Sequence, residues 1–592
     1  MYILKSQKFF LRCKKVMLLT VGILLNVLSF GQYTPMYHEN KTPTYYEIIE
    51  YYRYLASKYE QAFLFEEGKT DIGKPLHLFV ISFDKDFSVE SIKKKSKSVV
   101  LINNGIHPGE SCGIDASLQF ATDLLSGKLK AKKYIENTVI CIIPVYNVGG
   151  VLNRGPYSRM NQVGPQEHGF RGNARNLDLN RDFIKCDSEN AKSFAKIFHK
   201  WQPDVFIDTH TSNGADYQYT ITLIATQTDK LNPLLSEYMD EKMLPYLYHS
   251  MKKGSYEMVP YVQSLKQVPD SGIYAFFDSP RYASGYTSLF NTIGFITETH
   301  MLKPYKDRVL STYDFILNLT VFVNENNFEL RKIRAEAINQ TKKQDEFTIK
   351  WELDRSRDSV ISFKGFEAEY NTSLITGKQR LSYNRSRPFE KPIKYYHHYK
   401  AVKSINKPAY YIIPQAWQEV ITRLELNGVA LKRFSKDTLI TVTAYYIDDF
   451  KTRDAYENHY LHYNLKVHKN LVEIKFYAGD YIIETNQKSN NYIIETLEPE
   501  SVDSYFAWNF FDAVLQAKEW MSAYVFEETA EQILKEHPEI KAELDEAKKN
   551  DKTLAESHYW QLYFIYKRSK YFEKSYRRYP VYRIEKKVEL PM

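Results

Sequence analysis

At 592 residues the chain is longer than one ordinary domain. Its 43% hydrophobic and 26% charged residues, with no long low-complexity tract, exclude a disordered or fibrous protein. The net charge of +8 is small for this size and is not gathered into one basic stripe, which argues against a nucleic-acid partner.

In chain order, the first pattern is a targeting segment. Lys5, Lys8, Arg12, Lys14 and Lys15 precede an apolar core from Val16 to Leu28, and Ser29-Phe30-Gly31 before Gln32 has the character of a cleavage site. This predicts a signal peptide over 1–31 and an exported protein, periplasmic or secreted. An uncleaved anchor is the alternative, but the apolar run is short for a membrane span and no second one follows. No Cys directly follows the apolar core, as a lipoprotein would need. Cys13 lies inside this segment, leaving Cys112, Cys141 and Cys186, which allow at most one bridge.

Tyr and Ile at helical spacing predict a helix over 44–59. Ile72-Gly-Lys-Pro75 reads as a turn leading into a strand over 76–82. Strands over 99–103, 139–145, 204–208, 220–225 and 293–297 then alternate with helices over 113–125, 191–201 and 231–248. Apolar strands alternating with helices predict an α/β domain, residues 32–325, built on a mainly parallel mixed sheet flanked by helices. A polar stretch follows, read as a helix plus linker over 326–358. From 359 to 500 short alternating runs rich in Tyr, Ile, Val and Thr predict a β-rich domain. Tyr481-Ile-Ile-Glu-Thr485 recurs as Tyr492-Ile-Ile-Glu-Thr496, which reads as two neighbouring strands. Helices are expected over 501–524 and 530–550, giving a helical C-terminal region over 501–592.

Polar residues collect where the strands end. His107-Pro-Gly-Glu110 follows the first buried strand, Asn147 the next, and His210 and Glu298 two later ones. The C-terminal edge of an open α/β sheet is where sites are built. A His and a Glu three apart on a tight Pro-Gly turn can close on one metal ion. With His210 they make two nitrogens and a carboxylate, leaving a zinc ion the open fourth position of a hydrolytic site. Cys112, two residues after Glu110, reads as a small buried residue rather than a nucleophile. The segment 171–182 is dense in further candidates. Asn180-Arg181 suits a carboxylate, because Arg offers a planar charged fork. Asp178 is placed to hold the ring N–H of a metal-bound His, and Arg171 to face a carbonyl oxygen under attack. Glu298 reads either as a partly buried base or as an ordinary strand-end residue. His397-His398, and His459 with His462, read as surface or interface histidines rather than a second metal site.

In order, His107-Pro-Gly-Glu110, Asp178-Leu-Asn180-Arg181, His210 and Glu298 resemble the pattern of the zinc carboxypeptidases of the carboxypeptidase A superfamily. The likeness spans roughly residues 40–325. It implies one zinc ion on His107, Glu110 and His210, with Glu298 as general base and acid toward a zinc-activated water. It implies that Asn180 and Arg181 hold the C-terminal carboxylate of a peptide or protein substrate and that Arg171 stabilises the oxyanion, with Arg154 and Arg159 as competitors. The family's mobile Tyr corresponds to Tyr282, with Tyr286 the alternative. The leading expectation is therefore a zinc metallocarboxypeptidase. A zinc amidohydrolase acting on acylated amino acids or cell-wall peptides is the second reading. A non-catalytic peptide- or glycan-binding protein on a peptidase scaffold is the third.

Overall fold

The computed structural model describes residues 33–592, so the signal-peptide expectation lies outside the described residues. These residues divide into two compact units. The first runs from 33 to 406 with 423–429 and 486–493; the second comprises 407–422, 430–485 and 494–592.

The first unit is built on an eight-stranded sheet. Its strands are β1 (Ala62–Lys69), β2 (Pro75–Ile81), β3 (Ser98–Asn103), β4 (Thr138–Ile143), β5 (Val205–Ser212), β6 (Ile221–Ala225), β7 (Met258–Pro260) and, after a two-residue β8 (Ile273–Tyr274) outside the sheet, β9 (Ile293–His300). The order is β1-β2-β4-β3-β5-β9-β6-β7. The pairs β4–β3, β3–β5, β5–β9 and β6–β7 are parallel, while the β1–β2 hairpin, β2–β4 and β9–β6 are antiparallel. The central strands β3, β4 and β5 are buried along their whole length, as continuous apolar runs covered on both faces require.

Helices α1 (Tyr45–Lys58), α2 (Cys112–Leu125), α3 (Glu189–Trp201) and α4 (Tyr305–Glu325) supply that cover. Thr44 starts α1 with a capping box closed by Glu47. Val100, Ile102, Ile140, Ile142 and Ile207 share one core with α1, α2 and α4. Phe206, one residue out of step, faces the other way and meets Phe194 of α3 edge-on, ring centroids 5.9 Å apart.

Beyond the expected boundary at 325 the first unit continues. A helix over Asn327–Lys343 leads directly into β10 (Glu346–Leu353), so most of the expected linker is regular structure. β11 (Ser359–Thr372) and β12 (Gln379–Tyr396) form a long hairpin, and β13 (Tyr399–Asn406) pairs β10. The end of β12 pairs β8 in parallel, and Phe363 and Ile393 share a buried cluster with Tyr217, Val259 and Ile273. The first part of the β-rich half is thus integral to the α/β unit.

The second unit is built on an antiparallel sheet of β14 (Tyr410–Ile413), β15 (Lys432–Arg433), β16 (Thr438–Thr452), β17 (His462–Phe476), β18 (Tyr481–Glu484) and β19 (Tyr582–Ile584). Helices over Ala523–Glu536, Pro538–Asn550 and His558–Tyr566 follow. Three expectations need correction. Tyr492–Thr496 is not a second strand but part of a helix over Asn490–Leu497. Residues 501–522 form turns and one short 3-10 turn rather than a helix, because Tyr505, Phe506, Trp508 and Phe511 are all buried and no single helical stripe could cover them. The helix expected over 530–550 breaks at His537-Pro538, where proline cannot continue the ladder. Among the described residues no helix is long and apolar enough to cross a membrane.

Candidate active site

The site grows from the turn after β3. The Glu110 amide closes on the His107 carbonyl at 2.8 Å, which swings both side chains to one side before α2 begins. Gly109 is required for clearance: a Cβ there would stand 2.3 Å from Cδ of Arg159. Across the sheet β5 runs four residues further than the apolar pattern suggests, and β9 three. His210 and Glu298 therefore become direct register partners on neighbouring parallel strands.

His107, Glu110 and His210 are all buried, and their potential ligand atoms lie within 4.8 Å of one another, the one such group of three among the described residues. His107 Nε2 lies 3.0 Å from Asp178 Oδ1, and His210 Nε2 lies 2.9 Å from Asp208 Oδ2. Each ring is thereby assigned an Nε2–H donating to a carboxylate, which turns both Nδ1 atoms inward. There they meet Glu110, Oε1 at 3.2 Å from His107 and Oε2 at 3.0 Å from His210. His107 Nδ1 is buried and makes no hydrogen bond. Two nitrogen lone pairs and a carboxylate converging on one point repel one another unless a cation sits among them. The donor set, two imidazoles and one carboxylate with both rings oriented by acids, fits zinc.

Charge around the cluster supports that fit. Burial opposes the Glu110 anion, yet the neighbouring His107 and Arg159 hold its carboxyl well below the usual range. Burial also opposes a charged His210, but the Asp208 and Glu110 carboxylates push it well above its ordinary value. The site thus favours positive charge at its centre. Glu298 is pushed up to about 8 by burial and by the Glu110 and Asp208 charges, with His210 pulling the other way. A cation at the cluster would bring that value down again.

A cavity of about 490 Å³ opens over the cluster. His107, Glu110, His210, Glu298, Arg171, Asn180, Arg181 and Tyr282 all line it. Asp178 sits behind them, its carboxylate forked by Arg171 at 2.8 and 3.0 Å. Asn180 Oδ1 is buried without a hydrogen-bond partner, and the Arg181 guanidinium lies 4.6 Å over the Tyr282 ring. Every residue expected at the site is therefore brought together, and the open alternatives narrow. Tyr286 is fully buried and donates its hydroxyl to Asn427, so Tyr282 is the cavity tyrosine. Arg154 is engaged with the Thr42 and Pro43 carbonyls and does not line the cavity. Arg159 lines it with its Nη1 on Glu110 at 2.9 Å, as Arg171 lines it with Nε and Nη2 on Asp178, so both arginines stay at the site. Cys112 is buried behind the cluster beside Thr299 and Thr211.

Sequence reasoning missed three contributors. Asp208 lies two residues before His210, so alternation along β5 aims both side chains the same way; that signal was available. Tyr261 and Phe276 come from loops without any motif. The other histidine pairs belong to no such group of three among the described residues. Both ring nitrogens of His462 have partners, Thr452 at 2.8 Å and Asp512 at 2.9 Å. His397 and His398 stack on each other with centroids 4.1 Å apart.

The zinc carboxypeptidase family profile matches residues 48–284. Residues 48–284 thus have the sequence of a zinc carboxypeptidase domain. Carboxypeptidase 2 of Trichophyton tonsurans is 23% identical over 464 residues, 74% of this chain and 78% of that protein. Carboxypeptidase 2 of Trichophyton rubrum is 23% identical over 492 residues, 78% of this chain and 83% of that protein. Among solved structures, a metallo-carboxypeptidase from Burkholderia cenocepacia is 17% identical, with a TM-score of 0.36 over 48% of this chain and 70% of that one. That stretch and these relatives support a zinc carboxypeptidase domain, a hydrolase of the metallopeptidase class. Glu298 lies beyond the matched stretch, so its place in the site rests on the register of β9 against β5.

Proposed function

We propose that this carboxypeptidase releases residues from the C-termini of peptides or proteins with Glu298 as the proton carrier. The observation that carries the reading is the arrangement of His107, Glu110, His210 and Glu298 around one cavity, with Asn180 and Arg181 in the same lining. A zinc ion on the first three residues supplies a Lewis acid for water and for the scissile carbonyl. Arg181 and the side-chain N–H of Asn180 anchor the terminal carboxylate, fixing the last peptide bond beside the cluster. Glu298 takes a proton from the attacking water and returns it to the leaving amine. Arg171 faces the developing oxyanion, and Asp178 and Asp208 keep the two imidazoles in register. Tyr282 closes the cavity wall over Arg181. The same reading places the protein outside the cytoplasm, on the strength of the signal-peptide pattern in residues 1–31.

The test is Glu298→Gln against wild type on a mixed peptide library read by mass spectrometry. Wild type trims C-termini stepwise. The variant keeps stoichiometric zinc but loses about 10²–10⁴-fold in kcat, the span expected for a lost general base. Internal cleavage, or acyl release without peptide trimming, overturns the assignment.

A further inference from the structure

The hairpin of β11 and β12 is rooted beside the catalytic cavity and runs away from it. At the root Tyr217 bridges Gly365, Gln218 Nε2 donates to the Gly365 carbonyl at 2.9 Å, and Arg385 pairs with Asp216 at 2.6 Å. Those partners belong to the loop after β5, whose first residue, Asn213, lines the cavity. Further out, the Tyr370 hydroxyl donates to Gln267 at 3.1 Å. Among the described residues no hydrogen bond or ion pair ties residues 371–381 to anything beyond the hairpin.

That projecting stretch, Asn371-Thr-Ser-Leu-Ile-Thr-Gly-Lys-Gln-Arg-Leu381, contains no acid. Its tip carries Leu374 and Ile375, 100% and 93% exposed, the two most exposed large apolar side chains among the described residues. Single exposed apolar residues are ordinary, but an adjacent pair at the end of a projecting hairpin is what a partner meets first. The backbone beneath the pair is closed on itself. Ser373 Oγ accepts from the Ile375 and Thr376 amides at 3.2 and 3.1 Å. The Gly377 amide donates to the Ser373 carbonyl at 2.9 Å, and the Ser373 amide to the Lys378 carbonyl at 2.8 Å. A turn with its amides satisfied in this way can leave water without stranding those donors.

Behind the tip the chemistry is layered. Register places Arg380 opposite Asn371 and Leu381 opposite Tyr370. At about 3.4 Å per residue, the Arg380 level lies roughly 10 Å behind Leu374, with Lys378 nearer the tip and Tyr370 one step further back. Lys266 adjoins the Gln267 that Tyr370 touches. Lys266, Lys378 and Arg380 are all exposed, and among the described residues no carboxylate pairs with any of them. The first acids behind them are already engaged, Glu369 with Arg387 at 3.9 Å and Glu367 with Lys391 at 3.2 Å.

Aliphatic side chains foremost, free cations next and a tyrosine behind them repeat the order of acyl chains, phosphates and interface in a lipid leaflet. An acidic protein surface would satisfy the cations but leave the aliphatic pair in water. An apolar protein groove would do the reverse. We propose that the β11–β12 tip docks on an anionic phospholipid bilayer. Leu374 and Ile375 enter the boundary between headgroups and acyl chains, and Lys378, Arg380 and Lys266 meet the lipid phosphates. Because the root of the same hairpin frames the loop after β5, docking holds the catalytic cavity beside the membrane surface.

The experiment cosediments the full chain with vesicles of equimolar phosphatidylcholine and phosphatidylglycerol, or of phosphatidylcholine alone. Partitioning onto the anionic vesicles is expected to be at least about tenfold stronger in about 0.1 M salt, and to weaken as salt is raised. Leu374→Ser/Ile375→Ser, with an unchanged Tm, weakens it at least about tenfold, and Lys378→Gln/Arg380→Gln weakens it on anionic vesicles only. Anionic vesicles also slow hydrogen exchange in wild-type peptides covering residues 370–381. Equal binding of wild type and the Leu374/Ile375 variant, the result if residues 1–31 carried the membrane affinity, overturns the proposal. Unchanged exchange at the tip does so too. A dimer that the Leu374/Ile375 variant dissociates, without vesicle binding by wild type, assigns the tip to a second copy of the chain and equally overturns it.

Discussion

Asp178 and Asp208 do the same task from different elements: each takes the Nε2–H of one imidazole and aims the opposite nitrogen at Glu110. Asp208 also accepts from the Asn103 amide of β3 at 3.0 Å, so its carboxylate is itself held in place. Replacing it by Asn keeps the shape but weakens the charge that orients His210. Asp208→Asn is therefore expected to bind zinc about 10–100-fold more weakly, measured by chelator competition. Wild-type affinity would show that β5 alone orients the ring. Arg159 acts on the third ligand. It lies 2.9 Å from Glu110 Oε1 and is largely buried, so it neutralises that carboxylate when no cation is bound. Arg159→Met leaves Glu110 uncompensated mainly in the metal-free protein. The loss of Tm on substitution is expected to be larger without zinc than with it. An equal loss in both forms would assign Arg159 to general packing.

At the scale of elements, α2 is fixed by a buried acid as well as by apolar packing. Asp115 accepts hydrogen bonds from Thr42 and from Tyr305 of α4, both at 2.6 Å, and its other oxygen has no partner. Burial, only partly offset by these bonds, raises it to about 7. An unfolded Asp titrates near 4. Between those values the folded chain holds a proton that the unfolded chain has released, so stability falls as pH rises from about 4 to 7 and levels off above. Asp115→Asn has no proton to lose. Its Tm relative to wild type is expected to be higher at pH 8 than at pH 5, and a difference independent of pH refutes the assignment. Elements differ in how openly the chain announces them. The apolar runs of β3 and β4 are legible because burial on both faces leaves no polar alternation to misread. The His107–Glu110 turn is legible because its chemistry is contiguous. The pentapeptide Tyr-Ile-Ile-Glu-Thr is not: at 481 it pairs β14 as a strand, whereas at 492 the same residues lie in a helix whose early bond runs from the Ile493 amide to the Ser489 carbonyl. Such residues fit either state, and the packing around them decides. Tyr261 and Phe276 escaped notice because a loop side chain acquires meaning only once the sheet places it.

Across the whole molecule, the two units bury charge to different ends. In the first, the buried His107, Glu110 and His210 line a cavity and are left to be completed by a cation, while Lys185 and Asp182 pair with each other. In the second, Glu498 and Arg583 are nearly inaccessible and complete each other. Glu498 also accepts hydroxyl bonds from Tyr411 and Tyr445, and Arg583 reaches Glu585 through Nε at 3.0 Å. Arg583 lies on β19, a three-residue strand paired to both β14 and β16, so the ion pair fastens the last strand of the chain into the middle of its sheet. A buried pair of this kind contributes little net stability compared with apolar residues of the same shape, but removing Glu498 leaves the buried guanidinium with the exposed Glu585 carboxylate, at a cost of up to about 3–5 kcal/mol. Glu498→Gln should therefore speed hydrogen exchange in β14, β16 and β19, read by mass spectrometry on peptides covering those strands, while exchange in β3 and β5 stays unchanged. The double variant Glu498→Gln/Arg583→Met should recover much of the loss, because no lone charge remains. If the double variant exchanges as fast as the single one, the tyrosine hydrogen bonds, and not the stranded guanidinium, set the stability of the sheet.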